Sequence, residues 1–486
     1  MTGISKPQTK YKWLFIVLSI MLTGILLVLS NSLNGTFWYL LWIAPIPVLV
    51  ISWRVPGKIA FLASFAAGLI GRLVWFIYLE TFAPPVFAAL ITLFLALTFA
   101  ATVTLTRMIF LRSRPSVAVF AYPVITTSVE FLLLHFSYDG SAGSIAYSQA
   151  DFLPLIQIAS ITGISGITFF VTLVPSIMAT GLHYRFNKPG QYAAIALPSI
   201  MAVSVIAYGT IRISGKAEPG TIQAGLIVLD EDQYSVTNNP LAETETIRAG
   251  KYITEVEALA ALGVRIILLP ERAFSTNDSL KPQILHLMQD AASKLDVQIV
   301  AGYANFGALS SVNCAFATDR QGKILIDYTK VHLVKGLERE FTPGTQRGYF
   351  TVDGKPAGLA VCKDLDYPAL IREYGKYGIS ILLVPAWDFR TDDWLHSRMA
   401  IMRSVENGFP MIRAARLGRL TINDRFGRVT AEKSCSDGRK AILSAVIPQD
   451  FLSTFYSKTG EWFPLLNLTI LLAFAGPAFF IRLKKK

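Results

Sequence analysis

Between Trp13 and about Ile213 the chain runs through seven apolar stretches, near 13–31, 37–53, 59–79, 84–106, 116–136, 157–182 and 191–213. Each is long enough to cross the roughly 30 Å of hydrocarbon in a bilayer. A mostly polar segment follows from about Gly215 to Asp450, and a last apolar run, about 463–482, leads into the terminal RLKKK. This pattern constrains the fold more than any other feature, because backbone in hydrocarbon must satisfy its own hydrogen bonds and runs of this length do so as helices. Composition agrees. The chain is 52% hydrophobic and only 16% charged, against about a quarter charged in soluble chains, so lipid must solvate the excess apolar surface. The first run is too long for a signal-peptide core and has no small-residue cleavage site, so it is expected to be retained.

Loop charges orient the spans. Eight spans place both termini on one side, and both ends are basic: Lys6, Lys10 and Lys12 precede the first run, and Arg482, Lys484, Lys485 and Lys486 close the last. Every second short loop is basic, with Arg54 and Lys58, then Arg107, Arg112 and Arg114, then Arg185 and Lys188. The intervening loops, NSLNGT, ETFAPP and HFSYDGSAGSIAYSQADFLP, contain no Lys or Arg. The positive-inside rule then makes both termini cytoplasmic and the large polar segment extracytoplasmic. The net charge of +12 follows from this topology, and no nucleic-acid stripe is expected. The expected organisation is a seven-helix membrane domain (1–214), an α/β domain (215–450) and a C-terminal span with a basic tail (451–486). Arg72 is the exception, a charge inside the third run. Either it snorkels or pairs with Glu80, or it meets a lipid headgroup.

Strands and helices alternate in the polar segment. TIQAGLIVL, VRIILLPE, VQIVAGYA, CAFATD, KILIDYTK, YFTVDG, PAGLAVC and ISILLVPAW read as strands. Residues 240–262 carry Ile247, Ile253, Val256, Leu259 and Leu262 at near-helical spacing. A second helix is expected to open at Ser279, with Pro282 in its first turn, and DDWLHSRMAIMRSVENG to close at Asn407-Gly408. Many strands with few helices suggest stacked sheets covered by helices.

Three of these strands end in a reactive group: Glu271 after ILLP, Lys330 after ILIDYT and Cys362 after GLAV. A carboxylate, an ammonium and a thiol together can perform acyl transfer, with the carboxylate taking the thiol proton, the thiolate attacking a carbonyl and the cation stabilising the oxyanion. The three cysteines, Cys314, Cys362 and Cys435, are too few and too scattered for a zinc site or a disulfide scaffold. Cys314 and Cys435 read as structural, with a disulfide between them as the alternative. No metal-ligand cluster or nucleotide-binding loop stands out, so no metal or cofactor is expected.

The order and spacing of these three residues, about 59 and 32 apart, resemble the nitrilase (carbon–nitrogen hydrolase) superfamily. The membrane frame around them is similar to one branch of it, the apolipoprotein N-acyltransferases. LLPERAF, DYTKVHLV and VCKDLDYP match the Glu, Lys and Cys blocks. AYSQ with QIASITGISGITFFV, MRSVENGFPMIRAARLG and TFYSKTGEW match further blocks, so the resemblance covers nearly the whole chain. It implies an αββα sandwich outside the cytoplasmic membrane of a bacterium, with Glu271 as general base, Lys330 as oxyanion stabiliser, Cys362 as nucleophile and Glu338 orienting the lysine. It also implies the reaction: an acyl chain passes from a phospholipid to the cysteine as a thioester, then to the N-terminal amine of a diacylglyceryl-cysteine lipoprotein. A membrane-tethered amidase, in which water resolves the thioester, is the alternative.

The chain departs from the family pattern at three places. Lys363-Asp364 stands where the family usually has Tyr-Glu, LVKGLE where it has LVPFGE, and QAG (223–225) where it has QGN. His332 and His396 raise a rival Cys–His dyad. Phe274, Leu337, Phe341, Trp387 and Phe389, on loops near the site, are expected to dip into the membrane.

Overall fold

The computed structural model describes residues 9–184, 189–215, 220–230 and 238–483. Lys6, Arg185, Lys188, Lys484, Lys485 and Lys486, which carry part of the loop-charge pattern, lie outside the described residues. Among the described residues five helices are long and apolar enough to cross a membrane, or six when a bent pair is counted as one span. The bent pair is Gly57–Gly71 with Leu73–Leu79, which meet at 48° with Arg72 between them. The apolar run 37–53 does not make one helix. It divides into a 3-10 turn, Trp38–Trp42, and a short helix, Ile46–Ser52. Pro45 and Pro47 can begin a helix but cannot continue one, because each lacks an amide hydrogen. The last helix, Trp462–Leu483, is apolar over Trp462–Phe474. Phe15, Leu22, Ile77, Phe87 and Leu90 point outward from the bundle, as side chains solvated by lipid do.

Two arginines tie three segments of the bundle together on one side. Arg107 Nε and Nη2 donate to the carbonyls of Ser52 (2.8 Å) and Val55 (2.9 Å), and Arg54 Nη2 donates to that of Leu182 (3.4 Å).

The polar segment folds into two stacked sheets. Its strands are β1 (Thr221–Val228), β2 (Ile266–Leu268), β3 (Phe274–Thr276), β4 (Gln298–Phe306), β5 (Ser311–Thr318), β6 (Ile324–Thr329), β7 (Gly348–Val352), β8 (Lys355–Leu359), β9 (Leu382–Trp387), β10 (Met411–Arg416), β11 (Arg419–Asn423), β12 (Val429–Ser434) and β13 (Ala441–Pro448). One sheet runs β13-β1-β2-β4-β5-β6, with β3 also on β4; the other runs β12-β11-β10-β9-β8-β7. Between them lies a shared core in which Leu226, Ile266, Val300 and Tyr328 of the first sheet meet Leu359, Leu383, Ile412 and Leu420 of the second. On the first sheet's outer face pack the helices Ala242–Ala261 and Lys281–Leu295. The helices Pro368–Tyr377 and Asp393–Asn407 cover the second. This is an αββα sandwich, and alternating inward and outward residues of period two build it.

The helix Asp393–Asn407 packs on both sides. Ala400 touches the second sheet, while Trp394, Leu395, Met399, Met402 and Val405 join Tyr147, Ile156, Ile164 and Phe170 of the membrane part in one apolar cluster. The helix ends as expected at Gly408, whose φ of +80° suits glycine; a Cβ there would lie 1.8 Å from the Leu452 carbonyl oxygen.

Several expectations change. The helix near Ser279 begins at Lys281, and Asn277 Oδ1 rather than the serine accepts from the amides of Ser279 and Leu280. Phe274 and Phe341 are buried, so neither dips into a membrane, whereas Leu337 is exposed. Trp387 lies beside the guanidinium groups of Arg272 and Arg416, and Phe389 packs on Phe82 of the membrane part. Cys314 and Cys435 are buried and are not joined in a disulfide. Arg72 makes no ion pair with Glu80; the carboxylate that acts on it is that of Glu130.

Candidate active site

Glu271, Lys330 and Cys362 come together because three strands of the two facing sheets end at the same place. Glu271 follows β2, and its amide donates to the carbonyl of Ala386 in β9, which joins the sheets at this point. Gly302 of β4 lets this turn sit close, since a Cβ there would lie 2.6 Å from both Glu271 Cα and the Pro270 oxygen. Lys330 follows β6, its amide bonded to the Asn313 carbonyl of β5 (2.9 Å). Cys362 stands three residues beyond β8 at a φ of +44°. A side chain in that region costs of order 1–3 kcal/mol and is retained only where the surroundings enforce it.

The charges form a closed network. Lys330 Nζ donates to Glu271 Oε1 (2.7 Å) and to Glu338 Oε2 (2.8 Å). Asn313 Nδ2 bridges the same two carboxylates, at 2.7 Å to Glu271 and 2.6 Å to Glu338, and the Val334 amide donates to Glu338 at 2.7 Å. All four side chains are buried. Burial works against the lysine's charge, but Glu271 and Glu338 outweigh it and hold the ammonium above the ordinary lysine range. Burial likewise works against ionised Glu338, yet Lys330 and the amide donors keep that carboxyl below its usual value. Burial, and then the Glu271 carboxylate, push the Cys362 thiol well above its usual value, with Lys330 pulling the other way. The resting site therefore sets a protonated thiol beside the ion pair of Lys330 and Glu338. Asn313 was not foreseen. Its only sequence signal is an amide at the start of an otherwise apolar strand, SVNCAFAT.

Asp364 fixes the turn that carries Cys362. Its Oδ2 accepts from the Val361 amide (3.0 Å) and the Tyr328 hydroxyl (2.8 Å), and its Oδ1 from the amides of Val331 (3.2 Å) and His332 (2.8 Å). One fully buried carboxylate thus ties the turn before Cys362 to the residues on either side of Lys330. Lys363 points the other way. Its Nζ donates to Asp139 (2.9 Å), on the loop between the membrane helix Ala121–Phe136 and the turn Ile145–Gln149, and to Asp366 (3.4 Å). Ser141 of the same loop donates from its amide and its hydroxyl to the Asp366 carbonyl, both at 2.7 Å. The two residues that depart from the family pattern here therefore connect the turn of Cys362 to two different parts of the molecule.

Cys362 opens on a cavity enclosing about 430 Å³ of empty space, walled by Val334, Trp387, Phe389, His396, Met399 and Arg413 among others. Arg413 grips Asp388 with both terminal nitrogens (2.9 and 2.5 Å). His396 Nδ1 lies 3.4 Å from Asp388 and 3.2 Å from Asp392, and the Tyr78 hydroxyl of the bent membrane pair donates to Asp392 (2.5 Å). Burial opposes the histidine's charge, but Asp392 and Asp388 outweigh it and hold the imidazole well above its usual value. A protonated imidazole cannot take the thiol proton. His332 is stacked on Tyr367, so neither histidine is placed as a base. Among the described residues no His, Cys, Asp and Glu group is arranged to hold a metal ion.

Two sequence families match this chain: the apolipoprotein N-acyltransferase N-terminal domain over residues 23–177 and the carbon-nitrogen hydrolase domain over residues 235–450. An apolipoprotein N-acyltransferase of Geobacter metallireducens is 26% identical over 486 residues, covering 91% of each chain. One of Bradyrhizobium diazoefficiens is 26% identical over 425 residues, covering 79% of this chain and 77% of that one. A 2-oxoglutaramate amidase of Bacillus subtilis is 30% identical over 166 residues, covering 31% of this chain and 63% of that one.

Proposed function

The chain belongs to the apolipoprotein N-acyltransferase branch of the carbon–nitrogen hydrolases and is an acyltransferase, and on that premise we propose that it acylates lipoproteins through a thioester on Cys362. The observation that carries this proposal is that Cys362, which feels the charges of Glu271 and Lys330, lines a cavity whose wall includes Phe389 and His396, side chains that touch the membrane part directly or through Asp392. The donor is a phospholipid, because an acyl chain that leaves hydrocarbon loses about 0.8 kcal/mol for each methylene exposed.

Glu271 takes the Cys362 proton as the sulfur attacks the ester carbonyl, and Lys330 supports the oxyanion. Collapse expels the lysophospholipid oxygen, which receives the proton back from Glu271 and leaves the acyl thioester. The neutral N-terminal amine of a diacylglyceryl-cysteine lipoprotein then attacks the thioester. Its surplus proton passes through Glu271 to the departing sulfur, giving an amide and restoring the thiol. Glu338 and Asn313 orient Lys330 and Glu271. Both termini are proposed to be cytoplasmic, with the sandwich outside, in a bacterial cytoplasmic membrane. The shared side of Arg54 and Arg107 supports this orientation.

The test is intact mass spectrometry of the purified protein incubated with mixed phospholipids, beside Cys362→Ser. The expected result is a fatty-acyl adduct on Cys362, absent from the variant and released by hydroxylamine or by a diacylated lipopeptide. No adduct with any phospholipid overturns the proposal, and release by water alone replaces the transferase with a hydrolase.

A further inference from the structure

Arg72 lies where the bent membrane pair breaks, and it lines a second cleft, separate from the cavity of Cys362. The cleft encloses about 360 Å³ of empty space. Its other walls are Asn31, Ser32 and Leu33 after the first membrane helix, Trp75, Gly143, Ser144, Ile145 and Ser148, and Trp394 with Leu395 of the helix shared with the sandwich. It therefore sits at the end of the membrane helices that faces the sandwich. That is the depth at which lipid headgroups lie and tryptophans collect.

Its hydrogen-bonding groups are unevenly committed. The Ser32 hydroxyl donates to Asn34, that of Ser144 to Glu130, that of Ser148 to the Ile145 carbonyl, and the Trp394 indole to Asp151. Among the described residues, no hydrogen bond or ion pair engages the side chains of Arg72, Asn31 or Trp75. The charge nearest in effect, Glu130, already accepts from Thr168 (2.5 Å), Ser144 (2.9 Å) and the Ile145 amide (3.1 Å). Three free N–H-bearing side chains, one of them a guanidinium, thus line one cleft whose hydroxyls have donated their protons elsewhere. Such a wall suits a ligand that only accepts hydrogen bonds and carries negative charge. A phosphodiester does both and matches the planar guanidinium in a two-bond grip.

We propose that this cleft binds the phosphodiester of a phospholipid, with Arg72 as its charged ligand and Asn31 and Trp75 as further donors. An arginine inside an apolar run is costly; Glu130 acts on it without bonding to it, and a lipid phosphate in direct contact offsets the cost further. The site stands apart from thioester chemistry, so it is tested in Cys362→Ser protein, where no acyl transfer can occur.

The full chain in a neutral detergent is titrated with dioctanoyl phosphatidylglycerol, dioctanoylglycerol and inorganic phosphate while its thermal unfolding is followed. The phospholipid is expected to raise Tm and dioctanoylglycerol to do so much less. Arg72→Gln is expected to weaken the apparent phospholipid affinity about tenfold, and Arg72→Lys to weaken it less, because the charge remains while the two-bond grip is lost. Equal phospholipid binding by Arg72→Gln and its parent overturns the proposal, as does an equal effect of dioctanoylglycerol. A full shift from millimolar inorganic phosphate also overturns it, in favour of a free-anion site. If Arg72→Gln does not fold, the Arg72→Lys titration decides. Unaltered phospholipid affinity there, with the headgroup preference retained, rejects the guanidinium grip.

Discussion

Buried charge is handled differently in the two halves of this molecule. In the sandwich it is closed upon itself: Lys330 lies between Glu271 and Glu338, Asn313 spans the two carboxylates, and Asp388 is held between Arg413 and His396. In the membrane part, Glu130 is satisfied by hydroxyls and an amide, and Arg72 by no hydrogen bond or ion pair among the described residues. A closed network fixes groups in place, which general acid–base chemistry needs, because a small displacement of a reacting group costs much of the rate. An open charge is of use only to something that arrives. On the two proposals made above, the contrast separates a site for chemistry from a site for a ligand.

The sharpest way to break the contrast is to open the closed network. Lys330→Ala leaves Glu271 and Glu338 facing each other across Asn313, and removing one partner from a buried pair costs about 3–5 kcal/mol. The variant is expected to melt well below its parent and to form acyl-Cys362 at less than about a thousandth of the parental rate. A variant that folds normally and keeps a few per cent of the rate contradicts the assignment of Lys330. Asp364→Ala comes next. It strips the acceptor from three amides and the Tyr328 hydroxyl, at about 1–3 kcal/mol for each donor left unsatisfied. A lowered Tm with slower acylation is expected in thermal melts and single-turnover assays, and unchanged values in both exclude a clasp.

The smallest effect concerns His396. Its folded-state pKa is raised, so the stability it contributes is fully present below the ordinary value near 6.5 and is lost only as pH rises through the higher folded value. The acylation rate is therefore expected to show no inflection from this residue at its ordinary value near 6.5. His396→Gln leaves Arg413 on Asp388 and Tyr78 on Asp392, and should keep activity within about tenfold of the parent. An inflection near pH 6.5 that vanishes in the variant restores the histidine base.

Much of this was legible along the chain because it depends on local pattern. Hydropathy located the long membrane helices, and short apolar runs separated by breaks located most of the strands. The strand ends singled out Glu271, Lys330 and Cys362, since an apolar run that stops at a charge or a thiol marks where a buried element reaches its boundary. The apolar run 37–53 misled because length and hydropathy do not register two prolines. Asn313 and the clasp at Asp364 went unread for a different reason. Their partners lie tens of residues away, and nothing in SVNCAF or VCKDLD distinguishes a side chain that closes a network from one that faces solvent.

The sequence by itself therefore located the helices long and apolar enough to cross a membrane, most of the strands, and the three groups that end them. These follow from hydrophobicity and backbone periodicity, which neighbours in the chain express together. Only the tertiary structure decided that Asn313 bridges two glutamates, that Tyr78 meets Asp392 across 314 positions, and that Arg72 faces a cleft rather than Glu80. A buried polar group must find a partner, but packing decides which one, because the chain leaves many candidates equally available until the sheets and helices are assembled.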